Sequence, residues 1–116
     1  MIVVDASVLV VALADEGPHG DSARARLRGL SLVAPELVDL EVASTLRKLV
    51  AAEALPDRRA RFALADLQAL PLRRVGHLRL LERCWELRGN LSVYDAAYVA
   101  LAEALLVPLL TADSRI

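Results

Sequence analysis

The chain has 116 residues, of which 56% are apolar and only 3% are aromatic, and its formal net charge at pH 7 is −1. This length predicts a single domain over residues 1–116 with a core of Leu, Val and Ala, and the near-neutral charge argues against a general nucleic-acid-coating protein. Apolar runs such as Val8 to Ala14 are too short to span a membrane, and the single cysteine, Cys84, excludes an internal disulfide and is typical of the cytoplasm.

Short apolar runs alternate with helical stretches along the chain. We predict four strands, at Ile2–Val4, Leu32–Ala34, Leu72–Val75 and Val107–Thr111. Six helices are predicted around them, at Ser7–Ala14, Asp21–Leu30, Pro35–Ala54, Pro56–Leu70, Leu78–Arg88 and Tyr94–Leu105. This alternation predicts an α/β fold, with a small parallel sheet of Rossmann-like topology that is well covered by helices.

The last two predicted helices have apolar patterns that indicate how they pack. The helix from Tyr94 to Leu105 has almost no polar face, which predicts that it is buried against the sheet. In the helix before it, Leu78, Leu81, Cys84 and Trp85 share one stripe. We therefore expect all four of these side chains to lie in the core.

Four acidic residues lie at or near the ends of predicted strands or within predicted helices: Asp5, Glu41, Asp95 and Asp113. Asp5 follows the first predicted strand and Asp113 follows the last, and open parallel sheets bind ligands at the carboxyl ends of their strands. Carboxylates that meet within a few ångströms repel one another unless a cation lies between them. Because all-oxygen ligands favour hard cations over zinc, convergence of the four predicts a site for Mg²⁺ or Mn²⁺.

Each of these acids also has a purely structural explanation. Asp5 is a favourable N-cap for the helix that follows it, and Ser92-x-x-Asp95 is a capping-box pattern. Glu41 falls at the border of an apolar helical stripe, where most glutamates are solvated. Its neighbours along that border are Ser44, Thr45 and Lys48. Asp113 is suited to an Asx-turn after the last strand, so spacing alone leaves both explanations open.

The segments that carry the four acids resemble the PIN-domain family and, more narrowly, the VapC toxins of bacterial toxin–antitoxin pairs. The matching segments are Ile2–Leu9, Pro35–Val42, and Val93–Glu103 followed by Val107–Asp113. They occur in the family's order and extend over the whole chain. Their combination is highly specific, although any one of them would be weak.

The resemblance implies a three-layer α/β/α sandwich and an endoribonuclease that depends on Mg²⁺ or Mn²⁺, in which a metal-activated water attacks an RNA phosphodiester. It also implies that Asp5 and Asp95 are direct metal ligands, and that Glu41 and Asp113 ligate directly or through water. Polar positions that hydrogen-bond around such a site are matched by Ser7 and Thr111.

The same resemblance implies particular partners: an RNA substrate, a cognate antitoxin whose tail enters the cleft, and a second copy of the chain in a homodimer. Arginines lining the cleft would hold RNA phosphates. Two features depart from the family pattern. Leu106 stands where members often have Gly before the last strand, and the sequence stops at Ile116, where members usually run on into another short strand.

Two alternatives come from other classes of protein. A catalytically silent PIN-like binding module would keep the fold without the chemistry, but all four acids are present. A phosphoacceptor receiver-type domain needs an acidic pair before its acceptor and a lysine after its last strand. The single lysine of this chain, Lys48, lies in a predicted helix instead.

Overall fold

A four-stranded parallel sheet forms the centre of the molecule in the computed structural model, which describes residues 1–113 and 116. The strands are β1 (Ile2–Val4), β2 (Leu32–Pro35), β3 (Leu72–Val75) and β4 (Leu109–Leu110), and their spatial order is β3-β2-β1-β4. Val3 of β1 pairs with Val33 on one side and with Leu109 on the other. The predicted parallel α/β architecture is therefore confirmed, with β1 at an interior position.

The described residues form six α-helices, which flank this sheet. They are α1 (Ala6–Ala14), α2 (Pro18–Leu27), α3 (Val38–Ala51), α4 (Asp57–Ala69), α5 (Leu81–Glu86) and α6 (Val93–Leu105), with a 3₁₀ turn at Leu78–Leu80 before α5. Helix α1 packs with α2, α3 and α4, whereas α6 packs with α5 and against β1, β2 and β4. No helix in the described chain is both long enough and apolar enough to cross a membrane.

Two prolines act differently from their predicted roles. Pro35 does not open α3; it is the last residue of β2, and the next N–H, that of Glu36, donates to the carbonyl of Val75 in β3 at 2.9 Å. Pairing with β3 keeps the backbone extended here, so α3 begins only at Val38. Pro18 lies outside the predicted helix Asp21–Leu30, but it occupies the first turn of α2, where its missing N–H has no helical partner to lose.

The prediction of a fully buried stripe on α5 is wrong. Cys84 is buried, but Leu78, Leu81 and Trp85 are 78%, 47% and 62% exposed. The 3₁₀ turn before α5 breaks the regular helical spacing, and the six-residue helix packs on α6 through one narrow side. The buried residues here are Cys84 of α5 and Leu80 of the 3₁₀ turn, and the larger apolar side chains lie on the outer surface.

Helix α6 is buried along most of its length, as predicted. Its buried residues are Ala96, Ala97, Tyr98, Ala100, Leu101 and Ala102. The helix ends in a Schellman motif: the N–H of Leu106 donates to the carbonyl of Glu103, and that of Val107 donates to Ala102. This motif places Leu106 in the left-handed region, at φ 55°. The position at which a glycine was expected therefore does require a positive φ.

Candidate functional site

An acidic cleft of about 360 Å³ lies at the carboxyl ends of β1 and β4. All four predicted carboxylates line it: Asp5, Glu41, Asp95 and Asp113. The other lining residues are Ala6, Ser7, Ser44, Thr45, Lys48 and Tyr98. The topology thus brings together acids that are separated by up to 108 positions in sequence, from the end of β1, from α3, from the first turn of α6 and from the segment after β4.

Asp5 lies at the base of the acidic cleft and is only 3% exposed. Its Oδ1 accepts hydrogen bonds from the Ser7 hydroxyl at 2.6 Å and from the Val8 N–H at 3.3 Å, and its Oδ2 accepts one from the Thr111 hydroxyl. The bond from Val8 is the N-cap bond of α1. Asp5 therefore serves as a helix cap and also belongs to the cleft, so the two explanations are not exclusive.

The two hydroxyls that contact Asp5 also hold the segment after β4. Ser7 Oγ accepts a hydrogen bond from the Ala112 N–H at 3.0 Å, and Thr111 Oγ1 accepts one from the Asp113 N–H at 2.9 Å. The Thr111 hydroxyl therefore holds the backbone of this turn. These bonds connect the buried carboxylate of Asp5 to the backbone that carries Asp113.

Glu41 is joined to α6 by a hydrogen bond that the Tyr98 hydroxyl donates to its Oε1 at 2.5 Å. Burial raises the pKa of Glu41, the bond from Tyr98 opposes that rise, and the negative charges of Asp95 and Asp5 add to it. Burial and the Glu41 carboxylate together raise the pKa of the Tyr98 hydroxyl, which remains a hydrogen-bond donor. Sequence reasoning did not select Tyr98 as a site residue, although it lies three positions after Asp95 on the same helix face.

Asp95 combines a structural role of its backbone with a place in the cleft. Its N–H donates to Ser92 Oγ at 3.1 Å, as the predicted cap of α6 requires. Its carboxylate lines the acidic cleft from the first turn of α6, where the positive end of the helix dipole favours a negative charge.

The donor chemistry of the acidic cleft fits a hard divalent cation. Every candidate ligand atom on the four acids is a carboxylate oxygen. A cation among them would also offset the negative charges of Asp95 and Asp5, which add to the effect of burial in raising the pKa of Glu41. Within residues 1–113 and 116, however, no three Asp, Glu, His or Cys side chains are already arranged to hold one metal ion. The carboxylates share a cleft, and binding would have to draw some of them closer together.

The cationic residues of the acidic cleft differ from the expectation. None of its described lining residues is an arginine, and the cation on its wall is Lys48. Arg24, Arg59 and Arg74 instead form ion pairs with Asp21, Glu16 and Asp39. The expectation that arginines line the cleft is therefore wrong for the part of the chain that the structure describes.

Comparison with known proteins places this geometry in a family. The family model described as "PIN domain" matches residues 2–116. The chain is 47% identical over 116 residues to VapC ribonuclease Mb0985 of Mycobacterium bovis, with 100% of the chain and 88% of that protein covered. It is 46% identical over 115 residues to Ribonuclease VapC1 of Mycobacterium tuberculosis, with 98% and 86% covered.

A solved structure shares the fold. The crystal structure of Mycobacterium tuberculosis VapC20, described as a sarcin-ricin loop cleaving toxin, superposes with a TM-score of 0.74 at 18% sequence identity. The match covers 97% of this chain and 92% of that one. At this identity the likeness supports the architecture alone, and it agrees with the predicted α/β sandwich.

Proposed function

The chain belongs to the PIN-domain family, and we propose that it is the RNA-cleaving toxin of a toxin–antitoxin pair, with the acidic cleft as its active site. The observation that carries this proposal is the convergence of Asp5, Glu41, Asp95 and Asp113 at one end of the parallel sheet. Relatives named VapC ribonucleases, similar over almost the whole chain, support the reaction class. A receiver-type domain has no comparable support.

The finer part of the proposal is dependence on Mg²⁺ or Mn²⁺. Asp5 and Asp95 would hold the cation directly, and Glu41 and Asp113 would do so directly or through water. When bound, the cation would lower the pKa of a water molecule and offset negative charge on the phosphoryl group. Support comes from the all-oxygen donor set and from the pKa of Glu41, which burial raises and to which the negative charges of Asp95 and Asp5 add.

The reaction is hydrolysis of a phosphodiester. The oxygen of a water molecule attacks phosphorus, the bond from phosphorus to the leaving ribose oxygen breaks, and the products are a phosphate monoester and a free hydroxyl. Ser7 and Thr111 orient the Asp5 carboxylate, because each of its oxygens accepts a hydrogen bond from one of the two hydroxyls. Tyr98 fixes Glu41 in the same way. Preorientation of charged groups before substrate binds is what lowers the barrier in such sites.

We expect two protein partners, a cognate antitoxin and a second copy of the chain. We also expect the protein to act in the cytoplasm, where the free Cys84 would stay reduced. The exposed side chains Leu78, Leu81 and Trp85 form an outward apolar surface at α5, and this surface is the part of the described chain that we would assign to the homodimer contact. Light scattering of purified wild type and Trp85→Ala would test it. A monomeric wild-type protein would contradict the homodimer.

The function is tested by pairing metal binding with RNA cleavage. We expect wild-type protein to bind Mn²⁺ in calorimetry and to cleave single-stranded RNA in a reaction that EDTA stops. Asp5→Asn and Asp95→Asn should lose cleavage by 100-fold or more, on the order of losing a transition-state contact. Asp66→Asn is the matched control, since Asp66 is an exposed aspartate on α4 outside the cleft. Antitoxin binding without metal-dependent cleavage would favour the silent binding module instead.

A further inference from the structure

One wall of the acidic cleft is a polar face of helix α3. Glu41, Ser44, Thr45 and Lys48 follow one another at spacings of three, one and three residues, and all four line the cleft. This spacing puts them on one side of a helix over two turns. Ser44, Thr45 and Lys48 are exposed, so the face is open to a ligand that occupies the cleft.

A cleft lined by four carboxylates repels RNA, which carries a negative charge at every phosphate. Binding therefore needs positive charge beyond that of a metal ion held among the carboxylates. Lys48 is the basic residue on the described cleft wall, and it is also the only lysine of the chain. Its ammonium group forms no ion pair or hydrogen bond with any residue that the structure describes.

The position of Lys48 determines which phosphate it would contact. It lies seven residues after Glu41, which is about 10 Å along the helix axis. The carboxylates mark the place of the scissile phosphate, so an ammonium group this far away would contact a flanking phosphate. Ser44 and Thr45 lie between the two positions and present hydroxyls, which also hydrogen-bond to phosphate and ribose oxygens.

We propose that Lys48 is a substrate-positioning residue, whose ammonium group holds an RNA phosphate that flanks the scissile one along the Ser44–Thr45 face of α3. This inference rests on the proposed function and adds one named contact to it. Lys48 also lies in the last turn of α3, where a positive charge stabilises the helix end. The test must therefore separate binding from stability.

The experiment compares Lys48→Gln with Arg47→Gln, which removes the same charge from the neighbouring residue of the same helix. Arg47 is exposed but lines a different groove, between α3 and α4. Binding of a fluorescent single-stranded RNA of mixed sequence is measured by anisotropy in EDTA, from 50 to 200 mM salt. We expect Lys48→Gln to weaken binding about 5- to 10-fold at low salt, and to reduce the slope of log K against log salt by about 0.7, the value for one phosphate contact on a single strand.

Kinetics with Mn²⁺ provide the second readout. Lys48→Gln should raise the apparent KM for RNA and change kcat less than about two-fold, because it removes binding that is shared by ground state and transition state. Lys48→Arg should restore both the salt slope and KM. The midpoint of thermal unfolding should be similar for Lys48→Gln and Arg47→Gln. Equal salt slopes for Lys48→Gln and wild type, or equal losses in the Arg47 variant, would overturn the assignment of Lys48.

The failure of this inference differs from the failure of the proposed function. If wild-type protein binds and cleaves RNA and Lys48→Gln is unchanged, only the contact is wrong. If wild-type protein neither binds nor cleaves RNA, the proposed function is wrong and the Lys48 contact falls with it.

Discussion

The Tyr98 hydroxyl donates a hydrogen bond to Glu41 Oε1 and so joins two residues that stand 57 positions apart. The bond connects α6, which packs on the sheet, to α3, which forms a wall of the acidic cleft. It sets the position of a carboxylate that burial and neighbouring negative charges disfavour. The hydrogen bond from Tyr98 therefore connects the Glu41 carboxylate, whose charged form is disfavoured, to the core of the protein.

Removal of the Tyr98 hydroxyl should destabilise the protein. We expect Tyr98→Phe to lower the free energy of unfolding at pH 7 by about 1–2 kcal/mol, because a hydrogen bond to a charged, half-buried carboxylate is lost. The loss should shrink at acidic pH, where Glu41 becomes neutral. Urea unfolding measures both values. Tyr94→Phe is the control: the same hydroxyl is removed from a side chain that is 64% exposed, and stability should not change.

Neutralising Glu41 should have the opposite effect. The folded protein raises the pKa of Glu41 above its ordinary value of 4.5, so the folded state holds this proton more tightly than the unfolded state does. Stability contributed by this group therefore falls as pH rises from the unfolded pKa through the folded pKa. We expect Glu41→Gln, which keeps an acceptor for Tyr98, to gain roughly 0.5–2 kcal/mol at pH 7 without metal and nothing below pH 4.

The control for this prediction is Glu103→Gln on the outer side of α6. The guanidinium of Arg83 lowers the pKa of Glu103. The stability contributed by Glu103 therefore rises with pH, whereas that contributed by Glu41 falls. The variant should lose stability or remain unchanged at pH 7. Urea unfolding between pH 4 and pH 7 in EDTA measures both variants. A gain in stability at Glu103 as large as that at Glu41 would contradict the assignment of the effect to burial and charge repulsion in the cleft.

Thr111 should control metal affinity through Asp5. Its hydroxyl donates to Asp5 Oδ2 and accepts the N–H of Asp113, and Thr111→Val removes both bonds while keeping the shape of the side chain. We expect a loss of about 10- to 100-fold in Mn²⁺ affinity or in kcat, the range for residues that orient metal ligands. Calorimetry and RNA cleavage are the measurements. Thr111→Ser keeps the hydroxyl and should retain most of the Mn²⁺ affinity and of kcat. Equal losses in Thr111→Val and Thr111→Ser would contradict the role of the Thr111 hydroxyl in orienting Asp5.

Leu106 should be a site at which glycine stabilises the fold. It adopts φ 55° at the end of α6, and its side chain is 91% exposed, so little packing is lost on substitution. A left-handed residue with a Cβ atom costs roughly 1–2 kcal/mol, of which the greater freedom of glycine in the unfolded chain cancels about half. Leu106→Gly should therefore raise stability by about 0.5–1 kcal/mol in thermal unfolding. Leu106→Ala keeps the Cβ atom and should gain nothing.

Much of this protein follows from local pattern. Ile2–Val4 is a short apolar run that ends at Asp5, and Leu72–Val75 lies between Pro71 and Gly76; both form the predicted strands. The alternation of strands and helices indicates a parallel sheet, which directs the residue after each strand toward one edge. This is why Asp5 and Asp113 were identifiable as partners before their positions in space were known.

Local sequence pattern did not predict the structure where contacts with a distant segment decide which residues are buried or which element forms. Periodicity places Leu78, Leu81 and Trp85 on one stripe. It does not predict that the 3₁₀ turn and the short α5, which pack on α6, bury Leu80 and Cys84 instead. Pro35 has the chemistry of a helix start, yet pairing with β3 keeps it in a strand.

The sequence by itself determined the composition of the site, because four carboxylates at strand and helix ends are a property of the order of residues. Only the tertiary structure decided how those carboxylates are held. The bond from Tyr98 to Glu41 and the hydroxyls around Asp5 depend on contacts between α1, α3, α6 and the end of β4. Such contacts arise from packing across the whole chain, and residue spacing does not encode them.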